Sequence, residues 1–230
     1  MLNKVRNRWS TYCGRLGVLS DKNAEELSYW TQRKVEEGTF QASWYEHFYT
    51  EHFGLTVEDY AGLRILDIGC GPRGSLDWAE NAAERIGLDP LADHYRKLRS
   101  EGYRMEMITS GSESIPFADG HFDIVASFNS LDHVDDLDKT ISEIKRVLCP
   151  GGHFLLLTDV NHKATACEPI EFGWEIAQAF TDVLEIVEER RLEKPQANMY
   201  QSIRANIPHD MEDKTQRYGV TSLKFRKPLE

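Results

Sequence analysis

Residues 64–74 read R-I-L-D-I-G-C-G-P-R-G, and they decide the fold: an apolar strand runs into a glycine-rich turn with a carboxylate, Asp67, at the strand's end. Gly69, Gly71 and Gly74 lack a Cβ, so the backbone there can take left-handed angles and lie directly against a ligand. A helix beginning at Ser75 as N-cap and running to about Ala83 would aim its free N–H groups into the same turn. Such a turn is a cradle for a cofactor. Its G-x-G-x-x-G spacing is shared with dinucleotide sites, so the flanking chain has to decide which cofactor it holds.

Working outward, the pattern alternates strand, turn and helix, as in right-handed βαβ units that build a parallel sheet with helices on both faces. Strands are predicted at 64–68, 85–89, 103–108, 122–128 and 153–158, with helices at 75–83, 92–100 and 137–148. In the last of these Leu137, Ile141, Ile144 and Leu148 recur at helical spacing, and Pro150-Gly151-Gly152 stops it. The pattern then changes. A helix is expected over 168–180, with Ile170, Trp174 and Ala177 on one face, and a sixth strand over 183–191. The polar stretch 193–217 reads as a long loop or a short helical insertion, and a seventh strand closes the chain at 218–226. Residues 1–60 stand outside this core as an N-terminal helical cap, with a capped helix near 21–37 followed by T-F-Q-A-S-W-Y-E-H-F-Y-T-E-H-F, and residues 61–230 form the core.

The 230 residues suit one α/β core with an added segment, and 27 Lys and Arg against 38 Asp and Glu leave a formal charge of −11. That balance repels phosphate backbones and acidic membrane faces, so neither nucleic acid nor membrane is expected as a partner. Four cysteines, Cys13, Cys70, Cys149 and Cys167, lie far apart without a C-x-x-C pair, which suits a reducing compartment. With no apolar run near the length of a membrane span and no secretory h-region, a cytoplasmic protein, monomer or homodimer, is expected. The E-H-F triplets at 46–48 and 51–53 put His47 and His52 five apart without an H-E-x-x-H pattern, so no metal is expected.

Asp89 ends the second strand 20 residues beyond Gly69, where a carboxylate can accept both ribose hydroxyls of an adenosine. Pro90 and Leu91 would flank the adenine. Further motifs follow in order: G-L-D-P at 87–90, S-E-S-I-P-F-A-D-G-H-F-D-I-V-A-S at 112–127, L-D-H-V at 131–134 and E-I-K-R-V-L-C-P-G-G-H-F-L-L-L at 143–157. Together with I-L-D-I-G-C-G at 65–71, this series resembles the class I S-adenosylmethionine-dependent methyltransferases, in their small-molecule (methyltransferase type 11-like) branch.

The resemblance implies a Rossmann-like, seven-stranded mixed α/β sheet whose last strand is antiparallel and inserted between the fifth and sixth. It implies S-adenosyl-L-methionine as cofactor, S-adenosyl-L-homocysteine as product and a small-molecule acceptor. By the same resemblance Asp67 would fix the glycine turn and help receive the cofactor's ammonium, Gly69 and Gly71 would pass its methionine part, and Asp89 would hold the ribose. Ser112 and Glu113 would meet the adenine edge, and Ser127 to Asn129 would line the sulfonium and the methyl group. Two positions depart from the family's pattern. Gly111 stands where an aspartate is often found, and Arg73 where the third glycine commonly lies, either as a surface residue or as a clamp on the cofactor carboxylate.

Methyl transfer is an in-line displacement, so the protein has mainly to align a nucleophile and exclude water. A hydroxyl or ammonium acceptor needs a base near neutral pKa, and His133, after the fourth strand, is the candidate, with Asp132 orienting it or capping a helix. A halide or thiol acceptor needs no base. His162, and His209 with Asp210, are weaker candidates for the same cleft. The aromatic helix has two readings, which one helix aromatic on several faces can combine: Trp44 and Phe48, four apart, pack on the core, or Tyr45, Tyr49 and His52 form a lid over the sulfonium, extended by Trp9, Tyr12, Tyr29 and Trp30. Two other functions share the glycine turn: an NAD(P)-dependent oxidoreductase, and a non-catalytic cofactor-binding subunit.

Overall fold

The computed structural model describes residues 19–99 and 101–229; Trp9, Tyr12, Cys13 and Ser100 lie outside the described residues. The chain runs through α1 (Asp21–Glu37), a four-residue α2 (Glu46–Tyr49), β1 (Arg64–Ile68), β2 (Glu84–Leu88), α3 (Ala92–Leu98) and β3 (Glu106–Ile108). It continues with β4 (Phe122–Phe128), α4 (Leu137–Val147), β5 (Leu148–Val160), β6 (Glu185–Glu193), α5 (Met199–Ala205) and β7 (Gly219–Arg226). The seven strands form one sheet in the order β3-β2-β1-β4-β5-β7-β6. β1 to β5 pair in parallel, and β7 runs antiparallel between β5 and β6, as the resemblance implies.

Alternation along the strands splits the core into two layers. Ile65, Ala126, Leu155, Leu157 and Val220 face residues 45–60, α3 and α5, where Phe48, Tyr49, Tyr95 and Ile203 are buried. Leu66, Ile68, Val125, Leu156 and Phe225 face the other way, onto Ile141, Ile144 and Val147 of α4 and Phe180. Each fully buried aliphatic side chain of α4 stabilises this layer by about 1.5–3 kcal/mol. Helix α4 starts where expected, with the Asp136 carboxylate accepting from Lys139 N–H at 3.1 Å.

Several elements differ from the sequence reading, each for a long-range reason. Residues 75–83 make turns rather than a helix. Asp77, which would sit in its first turn, is committed elsewhere: its carboxylate pairs with Arg99 at 2.6 Å and accepts the Arg104 and Met105 N–H groups at 2.8 and 3.0 Å. Those two bonds take N–H groups that would have joined a ladder, so β3 begins only at Glu106. Pro150-Gly151-Gly152 follows the end of α4 but lies within β5, where the β4 pairing skips from Phe122↔Leu148 to Ile124↔His153. Gly151, at φ +80°, donates to the Lys227 carbonyl at 2.8 Å, so the extra residues form a bulge that bonds the chain beyond β7. The helix expected over 168–180 is confined to a 3₁₀ segment, Trp174–Phe180. The stretch 193–217 carries α5, capped by Asn198.

Candidate cofactor and active site

The carboxyl ends of β1, β2 and β4 open into a cleft of about 1200 Å³, at the switch point where strand order reverses between β1 and β4. The turn after β1 forms its floor. Gly69 and Gly71 have φ of +69° and +58°. A Cβ on Gly69 would overlap the Ser130 Cβ, and one on Gly71 would meet the Trp30 ring at 3.5 Å, so the glycines are required by angle and, at Gly69, by space. Gly69 N–H donates to the Leu88 carbonyl at 2.8 Å, which fixes the turn against β2.

Two carboxylates flank this turn, and both are buried. Asp89 accepts from Gly71 N–H at 3.1 Å and from Leu91 N–H at 2.8 Å. Burial lifts its carboxyl to about 6, against the lowering effect of those two bonds. Asp67 accepts from the Ser75 hydroxyl, which therefore serves the carboxylate instead of capping a helix. Burial pushes Asp67 to about 7, and the nearby Asp89 charge adds to the shift. The Tyr49 hydroxyl faces Asp67 but has no partner at hydrogen-bond distance.

On the third side, Gly111, Ser112 and Glu113 line the cleft, with the Ser112 and Glu113 side chains already engaged. Ser112 Oγ bonds Thr140 Oγ1 at 2.8 Å, and Glu113 accepts the Asp135 and Asp136 N–H groups at 2.8 and 3.2 Å. Pro90 and Asn129 also line it, and Asn129 holds φ +54°, a rare angle for a side-chain-bearing residue. Ser127 does not. It is fully buried and its hydroxyl bonds Ser130 Oγ at 2.8 Å, because the strand points it beneath the floor; Ser130 takes the lining position and donates to the Ile68 carbonyl at 2.7 Å.

His133 lines the far end, with a buried Nε2 that has no hydrogen-bond partner and lies 3.9 Å from both an Asp132 and a Glu168 oxygen. Its Nδ1 lies 3.9 Å from Glu26 of α1. Tyr45 and Tyr49 line the wall together with Tyr200 of α5, and Tyr45 meets the Tyr200 ring edge-on at a centroid distance of 5.5 Å. Burial pushes all three phenols above their ordinary value, so they stay protonated and can act as donors. Helix α1 lies across the mouth as a strap. Lys22 Nζ reaches the His133 carbonyl at 2.6 Å and Asp135 at 2.5 Å, and at the other end Glu37 pairs with Arg73 at 2.6 Å.

That pairing corrects the reading of Arg73. It is not a free surface residue: it lines the cleft, and its guanidinium is held by Glu37 and lies over the Trp30 and Phe40 rings at 5.4 and 5.0 Å. Two histidines are corrected as well. His52 is not part of a lid: it is buried on β7, bonds Ser222 at 2.8 Å, and is pushed down to about 3 by burial and Arg190. His209 packs on Trp174 and lies 3.3 Å from Glu193, away from the cleft. His47 pairs with Glu51 at 2.8 Å, so the two E-H-F histidines do not converge. Ser130, Ser75, Tyr200 and Glu26 are cleft residues that sequence reasoning missed. Only Tyr200 and Glu26 had any signal, through their place in segments read as cover or insertion.

Among known proteins, the family described as Methyltransferase domain matches residues 66–156, the stretch from β1 to β5 that carries this cleft. The chain is 32% identical to the Caenorhabditis elegans sterol 4-C-methyltransferase strm-1, over 46% of this chain and 34% of that one. It is 35% identical to the Hahella chejuensis ubiquinone/menaquinone biosynthesis C-methyltransferase UbiE, over 42% of this chain and 43% of that one. It thus spans well under two thirds of the length of either relative. In fold it is similar to the protein solved in complex with the Haloferax volcanii Trm112 methyltransferase activator, with TM-score 0.62 and 18% identity over 92% of this chain and 99% of that one. The motif series, the strand order and the matched domain agree: residues 66–156 form a methyltransferase domain of the class I S-adenosylmethionine-dependent type, whose cofactor is S-adenosyl-L-methionine.

Proposed function

We propose that this chain transfers a methyl group from S-adenosylmethionine to a small metabolite, at an oxygen or nitrogen atom. One observation carries the reading: a single cleft of about 1200 Å³ is lined by Asp67 and Asp89 at one end and by His133 at the other. A drug-sized ligand takes about 300–1000 Å³, so the cleft has room for a cofactor and an acceptor together.

The residues present fit that cofactor. Asp89 keeps lone pairs beyond those taken by Gly71 and Leu91, enough to accept the ribose hydroxyls. Asp67 would receive the ammonium, and the orphaned Tyr49 hydroxyl beside it would donate to the carboxylate end. Gly69 and Gly71 would pass the methionine part, and Pro90 with Leu91 would flank the adenine. With the Ser112 and Glu113 side chains engaged within the protein, the adenine edge would meet backbone groups there. Asn129, Tyr45 and Tyr49 would line the sulfonium, whose charge is attracted to aromatic faces. Residues 19–60 act as the cap, with α1 excluding water.

When bound, S-adenosylmethionine supplies a methyl group activated by a positive sulfur. The chain's own share is to hold the acceptor in line and to take up its proton. His133 is our assignment for that proton, since its ring lines the cleft and its Nε2 has no hydrogen-bond partner within the protein. The test is formation of S-adenosylhomocysteine from a panel of hydroxylated and amine metabolites. His133→Ala should lower turnover about 10²–10⁴-fold with cofactor affinity nearly intact. Unchanged turnover removes His133 from the mechanism, and no turnover with any acceptor class counts against methyl transfer.

A further inference from the structure

Just beyond the acceptor end of the cleft, three side chains far apart in sequence converge. Asp132 follows β4, His162 follows β5, and Glu168 lies on the loop after it; one donor atom from each lies within 4.8 Å of the others. Asp132 and His162 side chains are 2% and 6% exposed, and Asp132 Oδ1 and His162 Nε2 are buried without a hydrogen-bond partner. Two buried polar atoms left unpaired in one place are costly unless a ligand satisfies them.

The tautomer of His162 sharpens the point. Its Nδ1 lies 3.1 Å from the Lys163 carbonyl, and a carbonyl only accepts, so the ring proton sits on Nδ1. In the neutral ring Nε2 then presents a bare lone pair to Asp132 Oδ2, 3.3 Å away. Two lone pairs at that distance repel unless a proton or a metal ion lies between them. A backbone carbonyl holding Nδ1–H is also the usual outer support of a metal-bound histidine. Two ligands bound at about 2.1 Å in a tetrahedral site are about 3.4 Å apart, close to the separation seen.

The surrounding charge points the same way. Glu26, Asp159 and Glu171 are further carboxylates nearby; Asp159 is held by Lys194, Glu171 lies 3.7 Å from Lys163, and Lys22 is held by Asp135 and the His133 carbonyl. Asp132 and Glu168 are left without a cationic Lys or Arg partner among the described residues. Glu168 is also anchored, its carboxylate accepting from the Thr165 hydroxyl at 3.3 Å, and its 35% side-chain exposure gives an entry path from the cleft.

We infer that Asp132, His162 and Glu168 bind a divalent first-row transition ion such as Zn²⁺, Co²⁺ or Mn²⁺. One imidazole with two carboxylates is a borderline donor set that suits these ions and is a poor one for Mg²⁺ or Ca²⁺, which take oxygen. His133 Nε2, 3.9 Å from an oxygen of each carboxylate, borders the open side. This site stands on its own geometry and does not depend on methyl transfer.

The chelator-treated 230-residue chain is titrated with Zn²⁺ by calorimetry and with Co²⁺ by visible absorption. One equivalent should bind, and Glu168→Gln should weaken it about a hundredfold or more, since losing a ligand costs more than the 10–100-fold typical of outer-shell changes. Cys167→Ser, one residue away, should leave it unchanged. Glu168 is half-exposed, so its variant keeps the test valid if His162→Gln fails to fold. Absence of saturable binding up to about 1 mM overturns the inference. So does equal affinity in Glu168→Gln, or loss of binding in Cys167→Ser. Nitrogen NMR showing His162 protonated on both nitrogens and insensitive to added Zn²⁺ overturns it as well.

Discussion

Cofactor affinity should fall steeply on acidification, because the two carboxylates assigned to the cofactor hold their protons to unusually high pH. Burial lifts Asp67 to about 7 and Asp89 to about 6. At pH 7 about half of Asp67 is ionised, and at pH 5 about one part in a hundred, so a ligand that requires the anion binds about 50-fold more weakly at pH 5. Asp89 goes from about nine-tenths ionised to about one-tenth, a further factor of about ten. The combined loss is about 50- to 500-fold, or about 2–4 kcal/mol. An α-amino group has a pKa of about 7.7–8.0, so the ligand's ammonium keeps its charge throughout. Calorimetry with S-adenosylmethionine at pH 5, 6 and 7 reads this directly. Asp67→Asn should bind more weakly at pH 7 and show only the roughly tenfold dependence left by Asp89. Affinity that stays within about threefold from pH 5 to 7 refutes the reasoning. The sign for stability is opposite to that of an ordinary paired carboxylate. With folded values above the unfolded 3.8, the ligand-free chain binds more protons than the unfolded chain, so this contribution is fully present below about pH 4 and is lost as pH rises through about 6–7. Asp67→Asn should therefore gain stability relative to the parent between pH 5 and 8, as followed by thermal melts.

Gly69→Ala forces a Cβ into the Ser130 side chain at φ +69°, and should destabilise the fold by about 2–4 kcal/mol in urea melts while abolishing cofactor binding. Adding Ser130→Gly should recover part of that loss by removing the overlapping atom; no recovery would mean that the angle, not the overlap, dominates. Arg73→Ala breaks the ion pair to Glu37 and the contacts with Trp30 and Phe40, worth about 1–2 kcal/mol. Its expected signature is faster amide exchange in α1 and weaker cofactor binding, with exchange in β1 and β4 unchanged.

The parallel half of the sheet was legible because its information is local. Apolar alternation marks β1 and β4, glycines mark the turn, and Asp89 falls at a fixed distance along a βαβ unit. Other features depend on partners distant in sequence. Nothing near Asp77 announces Arg99, Arg104 and Met105, so the turns at 75–83 read as a helix. Arg73 could not be interpreted until Glu37 was brought beside it. His52 and His209 looked available because polar side chains in loops usually are, but Ser222 and Trp174 hold them against the sheet. Ser127 and Ser130 show the finer limit. One residue points below the floor and the other into the cleft, a distinction set by where β4 ends rather than by composition. The Asp132, His162 and Glu168 cluster exists only because β4 and β5 are neighbours whose ends open on the same side.

The central claim is that the turn from Asp67 to Gly74, with Asp89, receives S-adenosylmethionine. Calorimetry of the chain with S-adenosylmethionine, S-adenosylhomocysteine and NAD tests it most directly. The account predicts one-to-one binding of both adenosyl sulfur compounds, weakened by Asp89→Ala, and no measurable binding of NAD. Tight NAD binding with neither sulfur compound bound would contradict it.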